Sequence, residues 1–168
     1  MLFRSTVGTS PAYSFGTAVC EVAVDLETGK VRIERFTDYH DCGTPINPQA
    51  VHGQVEGAIV MGASETIMED VQFDEQGRIL NPNLHGYLTM TIKDAPEIFS
   101  GIVDSYEPNG PFGAKEAGEG ALSGCPPALV NAVADAIGLD VDYLPLTPDR
   151  VLESLVKMRR AARRKVPA

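Results

Sequence analysis

Eleven residues, Gly110-Pro111-Phe112-Gly113-Ala114-Lys115-Glu116-Ala117-Gly118-Glu119-Gly120, hold four glycines, one lysine and two carboxylates, and a helical pattern from Leu122 to Gly138 follows at once. Glycine tolerates positive φ and close approach of main chain, so the run suits a tight loop that brings backbone N–H groups and one or two side chains up to a ligand. A helix N-terminus beyond it adds partial positive charge, which favours a carboxylate or phosphate nearby. The same spacing also suits a plain glycine-rich turn with solvated charges. On either reading the loop joins a strand to a helix and divides the chain there.

What precedes it reads as strands and one long helix. Residues 1–13 show no periodicity and are expected to be a loose lead-in. From Ser14 to Val24 the residues alternate, with Ala18, Cys20, Val22 and Val24 on one face. Asp25 to Lys30 is a turn and Val31 and Ile33 resume the alternation, so 14–39 is a predicted hairpin. Asn47-Pro48 is a helix start, because asparagine caps free N–H groups and proline suits the first helical position. Val51, Val55, Ala58, Ile59, Gly62 and Thr66 then recur at steps of three and four, predicting a helix to about Glu69. Its interior glycines each cost about 1 kcal/mol relative to alanine. Something therefore passes close, either the sheet or a ligand near Gln54 and Glu56.

Farther on, 71–80 suggests a small surface hairpin, 87–92 an extended segment and 98–106 a core strand. The helix from Leu122 takes the prolines at 126 and 127 in its first turn and stops at Gly138. Residues 142–146 are expected to form a short terminal strand, and Thr147-Pro148-Asp149 opens a last helix. The order is β-β-α-β-α-β plus a C-terminal helix. That is an α+β fold, a two-layer mixed sheet with helices on one face, spanning 14–156 as one domain.

Charge narrows the partners. The chain carries −9, but residues 157–168 hold six basic residues and no acid, which leaves 8 basic against 23 acidic residues, or −15, before them. So acidic a body repels a phosphate backbone, and nucleic acid is not an expected partner. The basic tail reads as a solvated helix end or a contact with an acidic partner. No apolar run approaches the ~20 residues of a membrane span. Cys20, Cys42 and Cys125 are odd in number and far apart, and the N-terminus lacks a signal-peptide pattern, so reduced thiols and a cytoplasmic location are expected. His40, Asp41 and Cys42 lie together, but no second pair at ligand spacing follows, and no protein metal site is predicted.

Several stretches in succession resemble the C-terminal part of the molybdenum-binding large subunit of the xanthine oxidase and aldehyde oxidase family of molybdenum hydroxylases. They are Tyr13-Ser14-Phe15-Gly16, Glu21-Val22-Ala23-Val24-Asp25 before Thr28-Gly29, Asp41-Cys42-Gly43 with Ile46-Asn47-Pro48, Gly53-Gln54-Val55-Glu56-Gly57-Ala58, and Lys115 followed by Gly118-Glu119. Together they cover roughly residues 13–150. The resemblance implies that Glu119 is the catalytic base beside the molybdenum, free to approach because Gly118 and Gly120 flank it. It implies that Gln54 contacts the pterin, with Gly113, Ala114, Lys115 and Gly118 beside the same site. Glu116 does not match the family's base and reads as a solvated partner for Lys115. As a surface helix residue, Gln54 equally suits a purely structural role.

The implied activity is hydroxylation of an electron-poor carbon of a small organic substrate, with electrons passed to iron–sulfur clusters on another subunit. The implied partners are a further molybdenum-binding chain, an iron–sulfur subunit and a flavin subunit. Two departures stand out: Gly120-Ala121-Leu122 replace the prolines usual after the base, which leaves an aryl-CoA reductase-like substrate branch open, and family subunits are much longer. The expectation is a split subunit or a fragment that holds no cofactor alone, lacks activity alone and self-associates. The competing functions are a non-catalytic assembly module and, less well matched, a phosphate- or nucleotide-binding domain, since the loop lacks the lysine and hydroxyl pair of a P-loop.

Overall fold

A computed structural model describes residues 12–164, so most of the lead-in and the last four residues of the basic tail lie outside the described residues. Strands β1 (Phe15–Val24) and β2 (Val31–Asp41) form the predicted antiparallel hairpin. The turn between them is held by Asp25, whose Oδ1 accepts the Glu27 and Thr28 N–H groups. Strand β3 (Glu97–Ile102) lies parallel to β2, giving a mixed sheet in the order β1-β2-β3.

The hairpin contains a departure from strict alternation. Glu21 pairs with Arg35 but Val22 pairs with Ile33, so Glu34 is an extra residue in β2, a β-bulge. The buried residues of β2 accordingly change parity, from Val31 and Ile33 to Phe36, Asp38 and His40. This face, with Ala18, Cys20, Val22 and Val24 of β1, is the one the helices cover. The opposite face carries Val19, Tyr39 and Phe99, each half exposed or more, and the Arg35 guanidinium lies 5.7 Å from the Phe99 ring centroid.

Helix α1 (Pro48–Ile67) starts as the sequence predicts: Asn47 Oδ1 accepts the Ala50 N–H at 3.1 Å and proline takes the first position. Its buried stripe is Val55, Ala58, Ile59, Gly62, Ala63 and Thr66. Helix α2 (Glu119–Ile137) packs against α1 and β1, and ends at Gly138 in the left-handed conformation. The close approach that α1's glycines imply is to α2 at one position. A Cβ on Gly62 would stand 2.8 Å from Cys125 Cβ. Gly53 and Gly57, by contrast, face open space.

Three expectations are corrected. α2 begins at Glu119 rather than Leu122, so Pro126 and Pro127 fall beyond its first turn, inside the helix. Each interior proline removes a hydrogen bond, at about 3 kcal/mol. Full burial of Leu129 and Val133 just beyond them, at about 1.5–3 kcal/mol each, offsets much of that. Residues 142–146 form no strand; the segment is pinned instead by the Leu146 N–H donating to Thr66 O at 2.6 Å, with Leu146 itself buried. Residues 87–92 form no strand either, and the Met90 N–H donates to Ser64 Oγ on α1. The surface hairpin at 71–80 is present as a turn with one bridge, Phe73 to Ile79.

Helix α3 (Pro148–Arg164) seats Val151 and Leu155 in the core and Met158 against it. Residues 157–164 are therefore its last turns, and Arg159 donates to the Leu26 carbonyl.

Candidate cofactor site

The glycine loop folds back along the end of β2. The Thr44 N–H donates to Gly113 O at 2.8 Å and the Lys115 N–H to Cys42 O at 2.7 Å, around the bridge between Gly43 and Ala114. Gly43 (φ 64°) and Gly113 (φ 81°) are both left-handed, and a Cβ on Gly43 would stand 2.2 Å from the Gly113 carbonyl, so the crossing demands glycine there.

Lys115 turns away from solvent. Its ammonium, with only 7% of the side chain exposed, lies 2.6 Å from Asp41 Oδ2 and 2.8 Å from the Tyr13 carbonyl, and 5.5 Å from the centroid of Phe15. Burial pushes the Asp41 carboxyl up, but hydrogen bonds from Lys115, Ser105 and the Gly43 N–H, with the Lys115 charge, outweigh it and hold the pKa at about 2. Glu116 is not the partner of Lys115 that the sequence suggests; its carboxylate binds Ser14 Oγ and the Gly120 N–H.

Glu119 is the first residue of α2, where the positive end of the helix favours a carboxylate. Its side chain, with those of Gln54, Met61 and Leu122 and the glycines at 53, 57 and 118, lines a pocket of about 440 Å³ between α1 and α2. Among the described residues neither the Glu119 carboxylate nor the Gln54 amide has a hydrogen-bond partner. A smaller recess of about 220 Å³ on the other side of Gln54 is lined by Ala114, Lys115 and the start of α1. The structure thus brings Gln54, Gly118 and Glu119 to one pocket and places Ala114 and Lys115 at its neighbour. Gly113 is buried in the loop crossing and lines neither.

Two buried polar residues behind the loop are absent from the sequence reading. Asp38 and His40 point inward because of the bulge. Burial pushes the Asp38 carboxyl up, the nearby His40 offsetting only part of this, and its Oδ1 has no partner. His40 Nε2 stands 3.3 Å from the Glu116 carbonyl and 3.7 Å from Glu116 Oε1, both acceptors, which assigns the ring proton to Nε2. The three-residue step from Ile33 to Phe36 is the sequence signal that locates this bulge.

Comparison with known proteins identifies the architecture. The molybdopterin cofactor-binding domain family matches residues 3–96, more than half the chain, and the chain belongs to that family. It is 35% identical over 163 residues to a probable hypoxanthine oxidase of Escherichia coli K12, covering 93% of this chain and 17% of the relative. With a putative xanthine dehydrogenase molybdenum-binding subunit of the same organism it shares 36% identity over 141 residues, 83% of this chain and 19% of that one. Among solved structures, reconstituted CO dehydrogenase from Oligotropha carboxidovorans superposes with a TM-score of 0.81 at 29% identity, covering 88% of this chain and 19% of that one. The chain spans less than a fifth of the length of these relatives.

Proposed function

We propose that this chain forms one wall of the molybdenum–pterin site of a multi-subunit molybdenum hydroxylase, with Glu119 as its base and Gln54 as a pterin contact. The observation that carries this is the convergence of two polar side chains without protein partners on one pocket, from helices far apart in sequence. The residues fit such a group. Gly53 and Gly57 lack side chains on the side facing open space, so a flat heterocycle can lie against α1, and a pocket of about 440 Å³ is within the ~300–1,000 Å³ usual for ligand sites.

Bound there, a molybdenum–pterin group supplies two-electron oxidation and oxygen transfer. Gln54 offers a donor and an acceptor to the edge of a heterocycle. Met61, Ala58 and Leu122 cover its flank and exclude water. Glu119, on the opposite wall, accepts a proton from an oxygen brought within about 3 Å of its carboxylate. Partners with iron–sulfur and flavin groups, and a further molybdenum-binding chain, belong to the same proposal, supported by a relative named as a molybdenum-binding subunit.

The test is Glu119→Gln in the enzyme assembled with this chain. Molybdenum and pterin content should stay at the unsubstituted level while turnover falls ~10²–10⁴-fold, the range for a lost general base. Turnover close to normal would remove Glu119 from the chemistry.

A further inference from the structure

The base candidate sits on a peptide unit that is gripped at both ends. The carbonyl of Glu119 and the N–H of Gly120 belong to one planar group, so fixing its orientation fixes ψ of Glu119 and limits where its side chain can point. At the nitrogen end the Gly120 N–H donates to Glu116 Oε2 at 3.2 Å. At the carbonyl end Glu119 O accepts Ser123 Oγ–H at 3.1 Å.

The grip at the nitrogen end is itself anchored. Glu116 Oε1 accepts the Ser14 hydroxyl at the start of β1 and faces His40 Nε2 on β2. His40 is fully buried and also meets the Glu116 backbone carbonyl, so main chain and side chain of Glu116 are tied to the same ring. Residue 120 must be glycine for this. A Cβ there would stand 2.4 Å from Glu116 Oε1 and 2.5 Å from His40 Cε1. The first residues of a helix have no intrahelical acceptor for their N–H groups, and Gly118, at the cap position, has no side chain to supply one. Glu116 fills that role from two residues before the cap.

We infer that Glu116 is a positioning residue for Glu119, holding its peptide plane through the Gly120 N–H and drawing its own rigidity from Ser14 and the buried His40. The inference rests on the reading of Glu119 as the base. Glu116 itself faces away from the pocket wall that Gln54 and Glu119 share and takes no part in proton transfer.

Two measurements test it. The first is amide hydrogen exchange at Gly120 in this chain. Because that N–H has no other acceptor, Glu116→Ala should speed its exchange roughly tenfold, and Glu116→Gln, which keeps an acceptor oxygen, should restore most of the protection. The second is a comparison in the cofactor-loaded enzyme assembled with this chain: Glu116→Ala should lower kcat roughly tenfold with KM unchanged, with rescue in Glu116→Gln, beside the much larger loss in Glu119→Gln. Unchanged exchange at Gly120 overturns the grip. Unchanged kcat in Glu116→Ala, with Glu119→Gln impaired, overturns the positioning role and leaves the base assignment standing. Retained turnover in Glu119→Gln sinks the base assignment instead, and the catalytic consequence of Glu116 falls with it. If Glu116→Ala does not fold, Ser14→Ala, which strips one donor from the same carboxylate, decides: about a threefold rise in Gly120 exchange supports the inference and no change overturns it.

Discussion

The two ends of the glycine loop carry opposite charges and are treated in opposite ways. Lys115 is buried against Asp41, Tyr13 and Phe15, with every feature of its surroundings supplied by this chain. Four residues later Glu119 stands in an open pocket with a carboxylate that no described residue binds. The sequence presents both as charged residues between glycines. The fold makes the first a fastener that ties the loop to β2 and the second a group left for something else to meet. Charge in a glycine loop therefore indicates ligand contact only after its internal partners are counted.

The difference predicts unequal effects on stability. Lys115→Met should be the most damaging, lowering unfolding free energy by about 3 kcal/mol in urea titrations, because it leaves the Asp41 carboxylate nearly buried and unpaired. Glu119→Gln in the same titration should shift it by less than about 0.5 kcal/mol. Equal losses would erase the contrast between the two ends.

Acid sharpens the contrast further. The Asp41 carboxyl is held at about 2, below its ordinary 3.8, so its contribution is present above pH 3.8 and is lost as pH falls through about 2. Stability measured across that window should drop for the unsubstituted chain and drop less for Asp41→Asn. A parallel decline in both would show that other carboxylates control the acid limb. The smallest effect is expected behind the loop. The Asp38 carboxyl is raised by burial, so its ionised form is a burden that grows as pH rises through the ordinary carboxylate value. Asp38→Asn should therefore raise the melting temperature at pH 7, by an amount equivalent to about 1 kcal/mol, and change little at pH 3. A lower melting temperature at pH 7 would mean that the carboxylate has a stabilising role there.

Much of this fold is written in local signals. Asn47-Pro48 and Gly138 mark helix ends through chemistry that acts within one turn, and the β1–β2 turn is closed by Asp25 alone. What the sequence hides depends on distant partners. Residues 142–146 alternate like a strand, yet no neighbouring strand is there to pair with them, and Thr66 of α1 takes the Leu146 N–H instead. The start of α2 is hidden because Gly118-Glu119-Gly120 has poor helix propensity, and the cap comes from Glu116, outside the helix. At the site, Gln54 and Glu119 were legible through family resemblance. The partner of Lys115 was not, since Asp41 lies far back in the sequence and Glu116 is adjacent.

The bulge at Glu34 amounts to a phase shift in a two-state code. Upstream of it odd-numbered residues of β2 face the helices; downstream even-numbered ones do. Deleting that one residue would not loosen the hairpin locally. It would set the whole downstream half in the opposite phase, turning Asp38 and His40 to the bare side and Thr37 and Tyr39 toward α2. The rear support of the base-bearing helix is thus specified less by which residues occupy β2 than by how many precede them, and a one-residue length change there is a more complete lesion than any single substitution.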